Sequence, residues 1–134
     1  MAIRKLLAAL GLALAVAACA QPGEPVTRGP AAQHPQVEMR FTPTSLARTL
    51  AFDTVTVTQR GELALATLVL RNPRSRALSL QYQTYWTDGA GVPVGNATVW
   101  RRLALTSGET EALQIAAPSP DGERLVLQMR PLDD

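Results

Sequence analysis

Cysteine, histidine and lysine each occur once in the 134 residues, and each scarcity closes off a class of chemistry. With Cys19 as the sole thiol, no intrachain disulfide can form, so a folded part has to be held by its apolar core alone. His34 is the only imidazole and falls in a proline-rich stretch, where it reads as a spacer residue rather than a ligand or base. Neither a zinc set nor a Ser-His-Asp arrangement can be assembled without it. A glycine-rich phosphate loop is also missing, because Gly89 and Gly91 stand between two strand-like runs instead of before a helix. The expectation is a protein that is not an enzyme and holds no metal or cofactor.

What is present begins with residues 6–19, a short apolar run behind Arg4 and Lys5 that ends in Val16, Ala17, Ala18 and Cys19. The run is too short for a stable transmembrane span, and it has the charged start, apolar middle and small-residue end of an export signal. It resembles the lipobox of bacterial lipoproteins. That resemblance implies a cleaved signal at 1–18, a diacylglycerol on the Cys19 thiol and a membrane partner reached through the lipid anchor. Because Ala20 is not Asp, it also implies the outer membrane, with the domain facing the periplasm.

Of the 13 basic residues, two lie in the first 18, while all 11 acidic residues lie beyond, so the remainder carries eleven of each sign. The basic sequence pI of about 9.2 is thus partly a property of the signal and does not argue for a nucleic-acid partner. Every positive charge after residue 18 is an arginine.

Residues 19–45 contain Pro22, Pro25, Pro30, Pro35 and Pro43 with little apolar periodicity. They read as the lipidated cysteine and a semi-rigid tether, since proline removes backbone donors and favours extended chain. Residues 46–134 then form the one domain that this length allows. Six β-branched or alternating apolar runs occupy 50–58, 62–71, 77–87, 98–105, 109–116 and 124–130, separated by Gly, Asn, Asp and Pro clusters. Helix competes at 62–71, where Glu, Leu and Ala favour it; the following Asn72-Pro73 turn and the short length favour strand. The pattern predicts an all-β, antiparallel sandwich.

Strand parity predicts which side chains are buried. Leu78, Leu80, Tyr82 and Trp86 share one face, and Ser79, Gln81, Gln83, Tyr85 and Thr87 the other. The same reasoning selects Val55, Val57, Leu113, Ile115, Leu125, Leu127 and Met129 as core. Residues 62–71 are apolar on both parities, which predicts a central or doubly covered strand.

Arg71-Asn72-Pro73, followed by Tyr82, Tyr85, Trp86, Asp88 and Gly91 in a Tyr-x-x-Tyr-Trp-x-Asp-x-x-Gly hairpin, is similar to the signature of the YcfL-like bacterial lipoproteins. The likeness spans roughly 50–131. It implies an immunoglobulin-like sandwich in the cell envelope, in a family without an established biochemical function.

The candidate sites follow. Tyr82 and Trp86 share the core parity, so they anchor the sandwich rather than stack on sugar. Asp88 before Gly89 caps its turn. Tyr85 is either exposed beside Gln81 and Gln83 or part of a second buried face. Arg74 and Arg76 on a turn, with Arg101 and Arg102 beside Trp100, read either as a solvated charged surface or as contacts for anionic glycan, lipid head groups or acidic protein. Glu109 and Glu111 have strand spacing, but without a cleft they read as solvated edge charges. The expected binding surface is therefore Gln83, Tyr85, Arg101 and Arg102. Its expected partner is another envelope protein, with peptidoglycan as the alternative ligand.

Overall fold

The computed structural model describes residues 34–132. The expected signal, Cys19 and the tether up to residue 33 lie outside the described residues. Within them the order is β1 (Val37–Phe41), a 3-10 helix (Thr44–Thr49), β2 (Ala51–Arg60), β3 (Leu63–Arg71), β4 (Leu78–Thr87), β5 (Pro93–Val94), β6 (Arg101–Leu105), β7 (Thr110–Ala116) and β8 (Arg124–Pro131).

The strands form an immunoglobulin-like β-sandwich. One sheet has five strands in the order β1-β8-β4-β5, with β6 pairing β4 beside β5, and the other has three in the order β2-β3-β7. Every pairing is antiparallel except β1 with β8, which runs parallel from Val37↔Leu125 to Phe41↔Met129. The free flank of β4 is shared: β6 covers Leu78 to Tyr82 and β5 covers Trp86 and Thr87. Between them Thr98 stands in for a strand, donating its N–H to the Thr84 carbonyl at 2.9 Å and accepting the Thr84 N–H on its hydroxyl at 3.0 Å.

The core lies between the sheets. Ala64, Ala66, Leu68 and Leu70 of β3 meet Leu80, Trp86, Leu125, Leu127 and Met129 of the facing sheet. Residues 63–71 are strand, and their apolarity on both parities reflects a central position: the inner residues are buried while Leu63, Leu65 and Val69 are half-buried on the outer face. Val55, Leu113, Leu125, Leu127 and Met129 are buried, and Val57, Ile115, Leu78 and Tyr82 pack against them. Phe52 is also fully buried, three residues before Val55, because the ladder with β3 shifts register between Phe52 and Thr54. A bulge of this kind inserts one residue and resets the alternation. The inserted Asp53 turns its carboxylate onto Arg71, with Nε to Oδ2 at 3.0 Å.

The expected domain start at 46 is corrected. The folded unit includes β1, and Val37 is buried in the core while Met39 and Phe41 pack against it. Phe41 meets Phe52 edge-on, with ring centroids 6.2 Å apart. Residues 37–45 are therefore not tether. His34 packs at the start of β1, where its Nδ1 accepts the Gln36 N–H at 3.0 Å and its carbonyl accepts the Val37 N–H at 3.1 Å.

Candidate interaction surface

Alternation sends every second residue of β1, β8, β4 and β6 away from the core. Register places Glu38 beside Val126, Arg40 beside Gln128, Tyr85 across from Val126, Gln83 across from Gln128 and Gln81 between Arg130 and Arg102. The outer face of the five-stranded sheet is thus a field of amides, arginines and aromatic rings. Its apolar floor is Val126, which is only 1% exposed although it points outward.

Two hydrogen-bonded groups organise this field. At one side Arg40 donates through Nε to Glu38 at 3.0 Å and through Nη1 to the Tyr85 hydroxyl at 3.1 Å. The Arg40 pKa is raised above the ordinary arginine value, chiefly by the hydrogen bond to Glu38. At the other side Arg130 donates from Nε to Gln81 Oε1 at 3.0 Å and lies 3.8 Å from the centroid of the Trp100 ring. A guanidinium at that distance is a cation–π contact that occupies one indole face. Between the groups Gln83 uses its amide to hold the Thr98 carbonyl at 2.8 Å.

Of the four residues expected to form a binding surface, three come together here. Gln83 and Tyr85 lie on the outer face, and Arg102 joins them through its pairing with Gln81. Arg101 does not. It pairs with Tyr82, on the core parity, and lines a separate cleft of about 290 Å³ with Thr84, Thr98, Leu113 and Ile115 at the open side of the sandwich. Tyr85 is half-buried on the outer face, which decides between an exposed position and a second buried face. Arg40, Arg130 and Gln128 join the surface from strands distant in sequence.

The hairpin residues are placed as follows. Tyr82 is half-buried against the core and Trp86 is 3% exposed within it. Asp88 Oδ1 accepts the N–H groups of Ala90 at 3.0 Å and Val92 at 2.9 Å, and Gly91 takes a φ of 83° that only glycine adopts freely. Glu109 is a turn cap, not a free edge charge: its Oε2 accepts the Thr106 N–H at 2.7 Å. Among the described residues no three His, Cys, Asp or Glu side chains gather as a metal site, and no helix is long and apolar enough to cross a membrane.

The fold and this exposed polar face define a small β-sandwich module. Residues 37–131 match the model of the family described as protein of unknown function (DUF1425), and the chain belongs to that family. Among solved structures it is similar to a DUF1425 family member from Shewanella sp. pv-4, at 20% identity and a TM-score of 0.56, covering 63% of this chain and 80% of that one. It is also similar to Campylobacter jejuni cj0090, at 15% identity and a TM-score of 0.59, covering 74% of this chain and all of the other. At these identities the likeness is one of fold. No curated protein matches the chain.

Proposed function

We infer that this DUF1425 protein is a YcfL-like, lipid-anchored module of the bacterial envelope that binds another envelope protein and carries out no catalysis itself. The lipobox-like run ending in Cys19 supports the anchor and, with Ala20, an outer-membrane position facing the periplasm. The observation that carries the binding role is the outer face of the five-stranded sheet. Tyr85, Trp100, Arg40 and Arg130 lie there on a rigid platform, held by one another and by Gln81, and tyrosine, tryptophan and arginine are the residues enriched at binding hot spots. Prior locking of these side chains lowers the ordering cost of association.

A protein partner fits better than peptidoglycan. Arg130 covers one of the two faces of Trp100, which halves the ring surface open to sugar stacking, and the arginines around it suit the carboxylates of an acidic protein surface. The test is a photo-crosslinking amino acid placed at Gln83 or Gln128, compared with Gln114 on the opposite sheet, in cells making the full chain. Protein adducts at the first two positions and not the third are expected. Adducts at none of them, with the chain retained on purified sacculi regardless of salt, would replace this reading with the glycan one.

A further inference from the structure

A sandwich of two open sheets has edges, and each exposes backbone donors and acceptors that can pair with another chain unless something discourages it. Three of the edges here are discouraged. β2 carries the bulge at Asp53, β6 carries Arg101 and Arg102, one on each face, and β7 carries Glu111. A second copy meeting β6 or β7 edge-on would bring like charges together.

β1 differs. Among the described residues it pairs only with β8. Its alternate groups reach that partner, since Leu125 donates to the Gln36 carbonyl at 2.9 Å and Thr42 to the Met129 carbonyl at 3.0 Å. By parallel-ladder geometry the N–H and C=O groups of Met39 and Phe41, and the C=O of Val37, point the other way, to the open edge. The Val37 N–H is already used by His34, which ends the free row on that side. An open groove of about 730 Å³ follows this edge, lined by Val37, Met39 and Phe41 together with Thr44 and Ala47 of the 3-10 helix.

We propose that this groove takes the β1 strand of a second copy of the chain, antiparallel about a two-fold axis at Met39, so that two five-stranded sheets become one continuous sheet. The sequence Val37-Glu38-Met39-Arg40-Phe41 is self-complementary in that register. Met39 faces Met39 of the other copy, Val37 faces Phe41 on the core side, and Glu38 faces Arg40 on the outer side, twice by symmetry. The free groups match as well: Met39 and Met39 exchange two hydrogen bonds, and each Phe41 N–H meets a free Val37 carbonyl. Glu38 and Arg40 already touch within one chain at 3.0 Å, so pairing extends two ion pairs into an alternating network of four charges. A two-fold interface requires this kind of reciprocity.

Glu38 and Arg40 would form non-hydrogen-bonded cross-strand pairs, with Cα atoms about 4.5 Å apart, inside the range a disulfide spans. Two like positions, 38 and 38, would sit on a diagonal of about 7–8 Å, outside it. Differently tagged full chains carrying Glu38→Cys and Arg40→Cys are co-expressed and oxidised in intact cells, and each variant is also expressed in both tags as its own control. The mixed pair is expected to give about tenfold more crosslinked dimer than either control, each of which places its cysteines on the diagonal. Capture of one tag by the other is expected to fall about tenfold in Arg40→Glu and to return in the double variant Glu38→Arg/Arg40→Glu, which restores the alternation. Mixed crosslinking no greater than the controls, capture indifferent to the charge swap, or a Glu38→Cys chain crosslinked only to a different protein would each overturn the proposal.

Discussion

Asn72 Nδ2 donates to the backbone carbonyl of Leu105 at 3.2 Å and thereby ties the end of β3, in one sheet, to the end of β6, in the other. The same amide reaches the carbonyls of Arg76 at 2.8 Å and Thr106 at 3.1 Å, and Asn72 Oδ1 accepts the Arg74 N–H at 3.1 Å. Its backbone is equally engaged, donating to the Glu109 carbonyl and accepting from Gly108, both at 2.9 Å. One fully buried side chain thus satisfies two turns at once.

Asn72→Ala is therefore expected to destabilise the protein by about 2–3 kcal/mol, since it strands the buried Leu105 carbonyl and releases the Arg76 and Thr106 carbonyls and the Arg74 N–H that hold the two turns. Asn72→Asp is expected to be worse at neutral pH, because a carboxylate would face three carbonyl oxygens. It should regain part of the loss in acid, where the protonated group has a donor again. Chemical denaturation at pH 7 and at pH 4 checks both; equal stability of the Asp variant at the two pH values would contradict the geometry.

Trp86 fills the core next to Gly122, where an added Cβ would come within 3.4 Å of the Trp86 Cβ and 2.8 Å of the Ala117 Cβ. Trp86→Ala should cost about 3–5 kcal/mol through the cavity it leaves. Trp86→Phe should cost distinctly less. The buried indole Nε1 has no partner among the described residues, so losing that N–H forfeits no hydrogen bond there. Denaturant midpoints at a constant m-value measure the difference.

These residues also show what one sequence makes legible. Six strands could be read because local alternation and turn residues mark them: the 78–87 parity placed Leu80 and Trp86 in the core correctly, and Asp88-Gly89 announced its own turn. Arg101 and Arg102 are neighbours in a strand and had to point opposite ways, so their grouping on one surface conflicted with the alternation already used for Trp86. β1 was hidden because its five residues alternate with charges, lie between Pro35 and Pro43, and pair with a strand almost ninety positions later. Phe52 was hidden by the bulge at Asp53. The Trp100–Arg130 stack and the Arg40–Tyr85 bond join distant segments, and nothing local encodes such meetings.

The position of β1 makes a truncation prediction. A chain beginning at Ser45 loses Val37, Met39 and Phe41 from the core and exposes one flank of β8. At roughly 1.5–3 kcal/mol for the buried Val37 and about half that for each of the half-buried Met39 and Phe41, with the β8 ladder lost besides, the loss approaches the lower end of the stability of a small domain. The shortened chain should therefore be largely unfolded by near-ultraviolet dichroism, while one beginning at His34 retains the strand and its turn. A cooperative melt at the same temperature for both would place β1 outside the stable unit.

Tyr85 separates stability from recognition on the outer face. Its ring lies over β8 opposite the nearly inaccessible Val126, and its hydroxyl accepts one hydrogen bond from Arg40 at an exposed site. Tyr85→Phe removes only that bond, so stability should change by about 0.5 kcal/mol or less. Tyr85→Ala uncovers Val126 as well and should cost about 1–2 kcal/mol. If the face binds an envelope protein, partner crosslinking through Gln128 should fall strongly in Tyr85→Ala at matched abundance and moderately in Tyr85→Phe. Arg101→Ala, on β6 and on the other face of the sheet, should leave it unchanged. The ordering matters more than any single value, because a generally weakened domain would lose crosslinking in proportion to stability, whereas a contact surface loses it by position. Equal yields for Tyr85→Ala and Arg101→Ala would remove this face from the binding site.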